Sequence, residues 1–393
     1  MRVGFLVIML LNFNLIMNKQ FLYSRKIYIS TNLNCNLNCV YCYEKDKINI
    51  EFDVDDTIFM LRQMLCIKTE HGTKIKFHGG EPFLSFQKIK VICERLWEEQ
   101  FPEFYRFHIT TNGTLIHGDI QDWLYKNRDK IILKLSLDGD KASNDINRPN
   151  SFDLIDIRFF VKTWPNIRVN MTITPETLSY FAENIKFFHS VGFKYIYSRF
   201  ALMVDWSDEK KIVEFYHQLL ELVDFYLKNT HIVPCEFFSR DISWILEKRC
   251  CSSHCNIGKM QAYDFQSKKY YPCHMCFPSV CGKKLSKDFE TLEMKEKIEE
   301  CTDCCIDCSF INLCQTCYAE NYIMRGSVSR RDIDLCNYQK VVFLALFKFE
   351  YERIIKLDAP TLKDIRKMEA IKKLYEELIR IEDKFLNAEK KTF

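Results

Sequence analysis

The chain has 393 residues, 47% of them hydrophobic and 28% charged, the balance of a folded protein with room for two or three domains of roughly 100–200 residues each. Lys+Arg exceed Asp+Glu by 56 − 53 = 3, too small an excess to mark a nucleic-acid or anionic-membrane surface, and 11 glycines and 9 prolines exclude a collagen-like or low-complexity chain. Cysteine is the outlier: nineteen residues, an odd number, at spacings of two or three that suit metal or cluster sites in a reducing, cytoplasmic compartment better than a disulfide framework.

The chain opens on MRVGFLVIMLLNFNLIM, a short apolar run behind Arg2. It superficially resembles a signal peptide, yet no small-residue cleavage site follows and the run is too short to span a bilayer. Two readings of the segment 1–25 stay open: Met17 is the true start, or the stretch covers part of the core.

From 26 to about 230, β-branched and aromatic runs alternate with amphipathic stretches. The predicted strands are Lys26–Ser30, Lys74–His78, Phe107–Thr111, Ile132–Leu137, Ile167–Thr174 and Tyr195–Arg199. Helical patterns occupy Asp55–Glu70, Phe86–Glu99 and Glu176–Ser190, the last with Thr174 as N-cap, Pro175 at its first position and Gly192 as its stop. Such alternation predicts an α/β fold with a parallel sheet and right-handed crossovers, an open doubly wound sheet or a partial barrel, with chemistry at the carboxyl ends of the strands. Residues 231–340 lose periodicity and gain cysteines, reading as loops pinned by metal. In the tail, 341–393, Ile365, Met368, Ile371, Leu374, Leu378 and Ile381 recur at three- and four-residue steps, one apolar helix face suited to docking.

The polar motifs fall where strands end. Cys35-x3-Cys39-x2-Cys42 offers three thiolates within eight residues and no nearby fourth, which suits a cluster with one iron open to another molecule; a zinc site completed by a distant His is the alternative. Gly79-Gly80-Glu81-Pro82 follows the second strand, Thr110–Thr114 (TTNGT) the third and Leu135–Gly139 (LSLDG) the fourth.

In this order the four motifs resemble those of the radical S-adenosylmethionine (SAM) enzymes. The resemblance implies a partial (β/α)6 TIM-like barrel over 26–230, and a 4Fe–4S cluster on Cys35, Cys39 and Cys42 whose open iron is chelated by SAM. It also implies reductive cleavage of SAM to a 5′-deoxyadenosyl radical that abstracts a substrate hydrogen. By the same resemblance Gly79, Gly80 and Glu81 meet the methionine ammonium, Ser136 and Arg148 its carboxylate, Tyr41 lies near the adenine, and Asn112 belongs to the third-strand loop. An electron donor such as flavodoxin or ferredoxin is implied, with neither nucleic acid nor membrane as partner.

The second cysteine field, with YPC at Tyr271–Cys273 and CQTCYAENYIMRG at Cys314–Gly326, resembles the SPASM extension, which holds two auxiliary 4Fe–4S clusters, making three in all. The resemblance assigns Cys255, Cys273 and Cys317, with Cys250 or Cys251 upstream, to one, and Cys305, Cys308, Cys314 and Cys336 to the other. Departures are Lys268 where the family has glycine, two rather than three residues between Cys314 and Cys317, and a competing pair Cys301/Cys304. Cys276 and Cys281 read as spare thiols, Cys66 and Cys93 as buried core residues.

Members of this branch mostly modify peptides or proteins, so the chain is expected to mature a ribosomally made peptide by a thioether or carbon–carbon crosslink or a related oxidation. A recognition module of about eighty residues does not fit into the 34 residues before Cys35, which keeps an anaerobic sulfatase-maturing enzyme as the runner-up. Against it stands His274, at the position where sulfatase maturases carry an Asp base; a histidine there is a weak candidate base or a packing residue. A zinc-stabilised, non-enzymatic binding protein is the third reading.

Overall fold

The computed structural model describes residues 25–44, 47–247, 255, 257, 260–292 and 305–390. Met17 and the rest of the opening segment, Cys250, Cys251, Cys301 and Cys304 lie outside the described residues.

In chain order the elements are β1 (Arg25–Ser30), the hairpin β2 (Asn32–Leu33) and β3 (Ile48–Glu51), α1 (Val54–Leu65), β4 (Thr73–His78), α2 (Phe86–Trp97), β5 (Tyr105–Thr111) and α3 (Asp119–Lys126). There follow β6 (Ile131–Ser136), α4 (Lys141–Asn147), α5 (Ile157–Thr163), β7 (Arg168–Ile173), α6 (Phe181–Ser190), β8 (Tyr195–Phe200) and α7 (Lys210–Lys228). The remainder holds β9 (Gln261–Asp264), β10 (Lys269–Tyr271), α8 (Pro278–Thr291), α9 (Tyr318–Arg325), α10 (Ile333–Ile354) and α11 (Leu362–Lys390).

All six predicted strands form, side by side and parallel, in the order β1-β4-β5-β6-β7-β8. The alternation within each strand explains the curvature. Ile75, Phe77, Phe107, Ile109, Leu133, Leu135, Val169 and Met171 are buried in one continuous core, while the intervening Lys76, His108, Lys134 and Asn170 line a central cavity. The result is the expected parallel α/β partial barrel with strand ends gathered over one rim.

Four details differ from the sequence reading. Residues 231–340 do not merely hang on metal: β9 pairs in parallel with β1, Tyr28 opposite Ala262, and β10 returns antiparallel, so the sheet has eight strands. Behind that hairpin Tyr271, Met275, Cys276, Phe277, Phe289 and Tyr318 bury a second core of their own. The boundary drawn at 340 falls inside α10, which is apolar nearly all round; Val341, Val342, Phe343, Leu346 and Phe347 are buried, so no single face announced it. The tail helix α11 docks as expected, through Ala370, Ile371 and Leu374.

The third difference is the start of α6. Thr174 is not its N-cap, because its hydroxyl is taken by Asn147 Oδ1 at 2.9 Å; a single turn at Leu178–Tyr180 intervenes before the helix begins at Phe181. Gly192 does end it, at φ +102°. Lastly, Cys93 is buried as expected but Cys66 is exposed, because α1 stops at Leu65 and leaves it as the C-cap.

Candidate active site

The first cysteine loop leaves the rim between β2 and β3. Cys35, Cys39 and Cys42 all line one cavity of about 1360 Å3, together with Tyr41, Gly79, Gly80, Glu81, Asn112, Ser136, Arg148 and His274. Every candidate of the barrel motifs thus lines the same cavity.

The glycine pair is fixed by what lies beneath it. A Cβ on Gly79 would sit 2.5 Å from the carbonyl oxygen of Asn32, and one on Gly80 2.0 Å from that of Asn34. Gly79 also holds φ +146°. The Gly80 and Glu81 N–H groups donate to the Asn32 and Asn34 carbonyls at 3.3 and 2.9 Å, so only glycine lets this loop lie flat against the start of the cysteine loop.

Glu81 is buried and turned to its own chain. Oε1 accepts from the Phe83 N–H (3.0 Å) and the Thr111 hydroxyl (2.9 Å), Oε2 from the Asn112 N–H (2.8 Å). Burial pushes its carboxyl up to about 6, opposed by those hydrogen bonds. It ties the β4 loop to the β5 loop and places its negative charge beside the glycine backbone on the cavity wall. Asn112 continues the lattice, donating to Asn36 Oδ1 (2.9 Å) and accepting from the Thr114 N–H and hydroxyl (3.0 and 2.8 Å), while Asn36 donates to the Thr114 hydroxyl (2.7 Å).

One residue that sequence reasoning passed over organises the opposite side. Asp138, fully buried, accepts from Arg148 Nε (2.8 Å) and the Tyr41 hydroxyl (2.6 Å) on Oδ2, and from the Thr172 N–H (2.8 Å) on Oδ1. Arg148 is buried too, lies over the Tyr41 ring at 5.5 Å, and points Nη1 at Cys39 Sγ, 3.8 Å away. Burial works against its charge, but Asp138 holds it above the ordinary arginine range. The strand-end dipeptide Asp138–Gly139 carried that signal. Ser136 stands half-buried at the end of β6, on the cavity wall.

Among the described residues no disulfide forms, and no three His, Cys, Asp or Glu side chains converge on a point that would hold a single metal ion. The first loop nevertheless fits a multi-iron cluster: three thiols face one cavity, the Leu37 N–H donates to Cys35 Sγ at 3.4 Å, and Arg148 donates toward Cys39. Burial pushes the Cys35 thiol up to about 11, so ligation there must expel a proton.

The auxiliary thiols form two groups. Cys255, Cys273 and Cys317 pack into the second core within electrostatic reach of one another, and Cys276, read as a spare, lies with its sulfur 3.6 Å from that of Cys273. Cys308 and Cys314 lie at the third core, and Arg331 is held charged by Cys314 and Cys305 despite its burial. Cys336 sits in the first turn of α10. Between the barrel cavity and the first group stands His274, stacked on Tyr28 (5.5 Å) and 4.4 Å from the His78 ring. Burial, then His78 and Lys76, keep its imidazole neutral, which makes it a weak base and favours the packing role.

Lys268, where the SPASM resemblance has glycine, holds a left-handed backbone at φ +53° between β9 and β10, at a cost in strain.

Residues 29–219 match the family model of the Radical SAM superfamily. An uncharacterized protein of Methanocaldococcus jannaschii is 32% identical over 41% of this chain, which spans 57% of that relative's length. Among solved structures, anSMEcpe with bound AdoMet superposes with a TM-score of 0.63 at 18% identity, covering 88% of this chain and 98% of that one. Streptococcus suis SuiB bound to its precursor peptide SuiA gives 0.53 at 17% identity, covering 80% and 76%. At these identities the likeness to the solved structures is one of fold. No helix among the described residues is long and apolar enough to cross a membrane.

Proposed function

We propose that this chain, an enzyme whose residues 29–219 match the Radical SAM superfamily model, is a SPASM-type maturase that removes hydrogen from a ribosomally made peptide to form a crosslink or a related oxidation. When bound, the Cys35/Cys39/Cys42 cluster and SAM supply reductive generation of a carbon radical able to take a hydrogen atom. The chain's own part is to hold and to exclude. The Gly79–Gly80 backbone and Arg148 would receive the amino and carboxylate ends of SAM, with Tyr41 on the adenine side. Asp138, Glu81 and Asn112 lock the three loops that carry them, so the site is set before substrate arrives.

The observation that carries this reading is the single cavity that runs from the three thiols to Tyr28 and His274, with Cys273 and Cys255 within electrostatic reach of Tyr28. A substrate lying in that cavity has a radical source on one side and the auxiliary thiols on the other, the layout an oxidative crosslink needs. Cys255, Cys273 and Cys317, with Cys250 or Cys251, would hold one auxiliary cluster; Cys305, Cys308, Cys314 and Cys336 would hold the second. A reduced flavodoxin or ferredoxin would supply electrons.

The test is mass spectrometry after anaerobic turnover with SAM, a reductant and a small peptide encoded beside this gene. Loss of two hydrogens without an aldehyde supports the reading. Formylglycine on a sulfatase-derived Cys or Ser peptide refutes it in favour of the sulfatase reading.

A further inference from the structure

The cavity continues past the site just described into the lumen of the barrel, and there its chemistry changes. Alternate residues of the parallel strands put cations on the inner wall in tiers. In the lower tier Lys74 of β4 pairs in register with Arg106 of β5. Lys76 of β4 stands one tier up, level with His108; the register pair Lys134 of β6 and Arg168 of β7 stands a tier higher, level with Thr110; and Arg199 of β8, level with Thr172, stands nearest the strand ends. In-register neighbours on adjacent strands lie about 5 Å apart, a spacing at which like charges destabilise a sheet.

Counter-charge is scarce. Among the described residues the carboxylates lining this cavity are Glu44, Glu81 and Asp129. Glu81 is engaged by three donors of its own chain, and Glu44 lies at the rim, 3.7 Å from His78. Arg199 reaches Glu236 only at 3.9 Å, and Glu236 is shared with Arg240 at 3.8 Å. Lys76 and Arg168 lean on aromatic rings instead, Tyr28 and Tyr197, each at 4.6 Å from the ring centre.

We propose that the lumen is a binding site for an extended acidic peptide segment, whose carboxylates are taken by Lys74, Lys76, Arg106, Lys134, Arg168 and Arg199. This rests on the peptide reading above and names the chemistry of the peptide. The cations form a ladder rather than converging on one point: tiers two residues apart along a strand are separated by about 6.6 Å. Alternate side chains of an extended peptide repeat at the same interval, so several single carboxylates fit where one compact polyanion would meet only part of the ladder. Unoccupied, the tiers repel; burial and the neighbouring cations, Arg168 among them, depress Lys76 to about 8 and Lys134 to about 7.

The test uses the anaerobically reconstituted full chain and fluorescence anisotropy of a labelled hexaglutamate peptide, with hexaglutamine and inorganic tripolyphosphate as competitors. Hexaglutamate should bind, weaken with salt and resist hexaglutamine. Lys76→Met with Lys134→Met should weaken it by roughly tenfold or more, the scale of one hydrogen bond to a charged group, without lowering the melting temperature, because removing repelling charges does not cost folding. Equal binding of hexaglutamine, unchanged binding in the double variant, or tripolyphosphate binding with no hexaglutamate binding would each overturn the proposal. Hexaglutamate binding with no modification of any peptide would refute the proposed reaction and leave the acidic site standing. Modification of a neutral peptide with no hexaglutamate binding would do the reverse.

Discussion

Asp138 is the residue whose loss should tell most about how the site is held. Its carboxylate is fully buried between Arg148, Tyr41 and the Thr172 N–H, at 2.8, 2.6 and 2.8 Å. Asp138→Ala leaves the buried Arg148 guanidinium without its partner, which by itself costs about 3–5 kcal/mol. The Tyr41 hydroxyl and Thr172 N–H also lose their acceptor, at about 1–3 kcal/mol each if they stay dry, though the terms are not additive. A total of about 4–6 kcal/mol is expected from Asp138→Ala, and about 3 from Asp138→Asn, which keeps one acceptor oxygen but replaces the other by an NH2 donor and loses the charge. Because Arg148 donates toward Cys39 and Tyr41 precedes Cys42, the same change should loosen the cysteine loop. The assay is paired: urea unfolding followed by tryptophan fluorescence, and iron content after anaerobic reconstitution. A loss under about 1 kcal/mol with full iron would refute the account of Asp138 as the anchor of this wall.

Replacing Cys35, Cys39 and Cys42 together by Ala should remove about four of about twelve irons, one of three four-iron sites, and abolish SAM cleavage; persistent cleavage would move the radical site elsewhere. Gly80→Ala places a methyl 2.0 Å from the Asn34 carbonyl oxygen and should cost about 1–3 kcal/mol or more by urea unfolding, a neutral result contradicting the close packing of the two loops. Lys268 holds φ +53° and pairs with Asp56 only at the surface, so Lys268→Gly should leave the melting temperature unchanged or raise it, while Lys268→Val should lower it by about 1–2 kcal/mol of stability. His108 is depressed to about 3 by burial and then by Lys76 and Lys134, so the fold prefers its neutral form. That contribution is complete above about pH 6.5 and is lost as pH falls toward 3. Between pH 7 and pH 5 the wild type should therefore lose about 1 kcal/mol more than His108→Gln, after discounting for partial exposure; equal losses would show that His108 does not feel the lumen charge.

The six parallel strands and the barrel motifs were legible in the sequence because they depend on neighbours along the chain: period-two alternation, glycine pairs, and cysteines three and two apart. Where a residue's role depended on a distant partner, local pattern failed. Glu81 was legible as a buried charge beside the glycines but not as the tie to Thr111 and Asn112, and Asp138 stood without a role in LSLDG until Arg148 and Tyr41 met over it. Cys276 reads as spare although its contact with Cys273 is local: the turn at His274–Cys276 brings the two sulfurs to 3.6 Å. The lysines and arginines in KIKFH, ILKLSL and YIYSRF were plain in the text of the strands, yet a net charge of +3 hid them. Charge composition sums over the whole surface, whereas only the curvature and register of the sheet decide that Lys76, Lys134, Arg168 and Arg199 face one another across a lumen with few carboxylates.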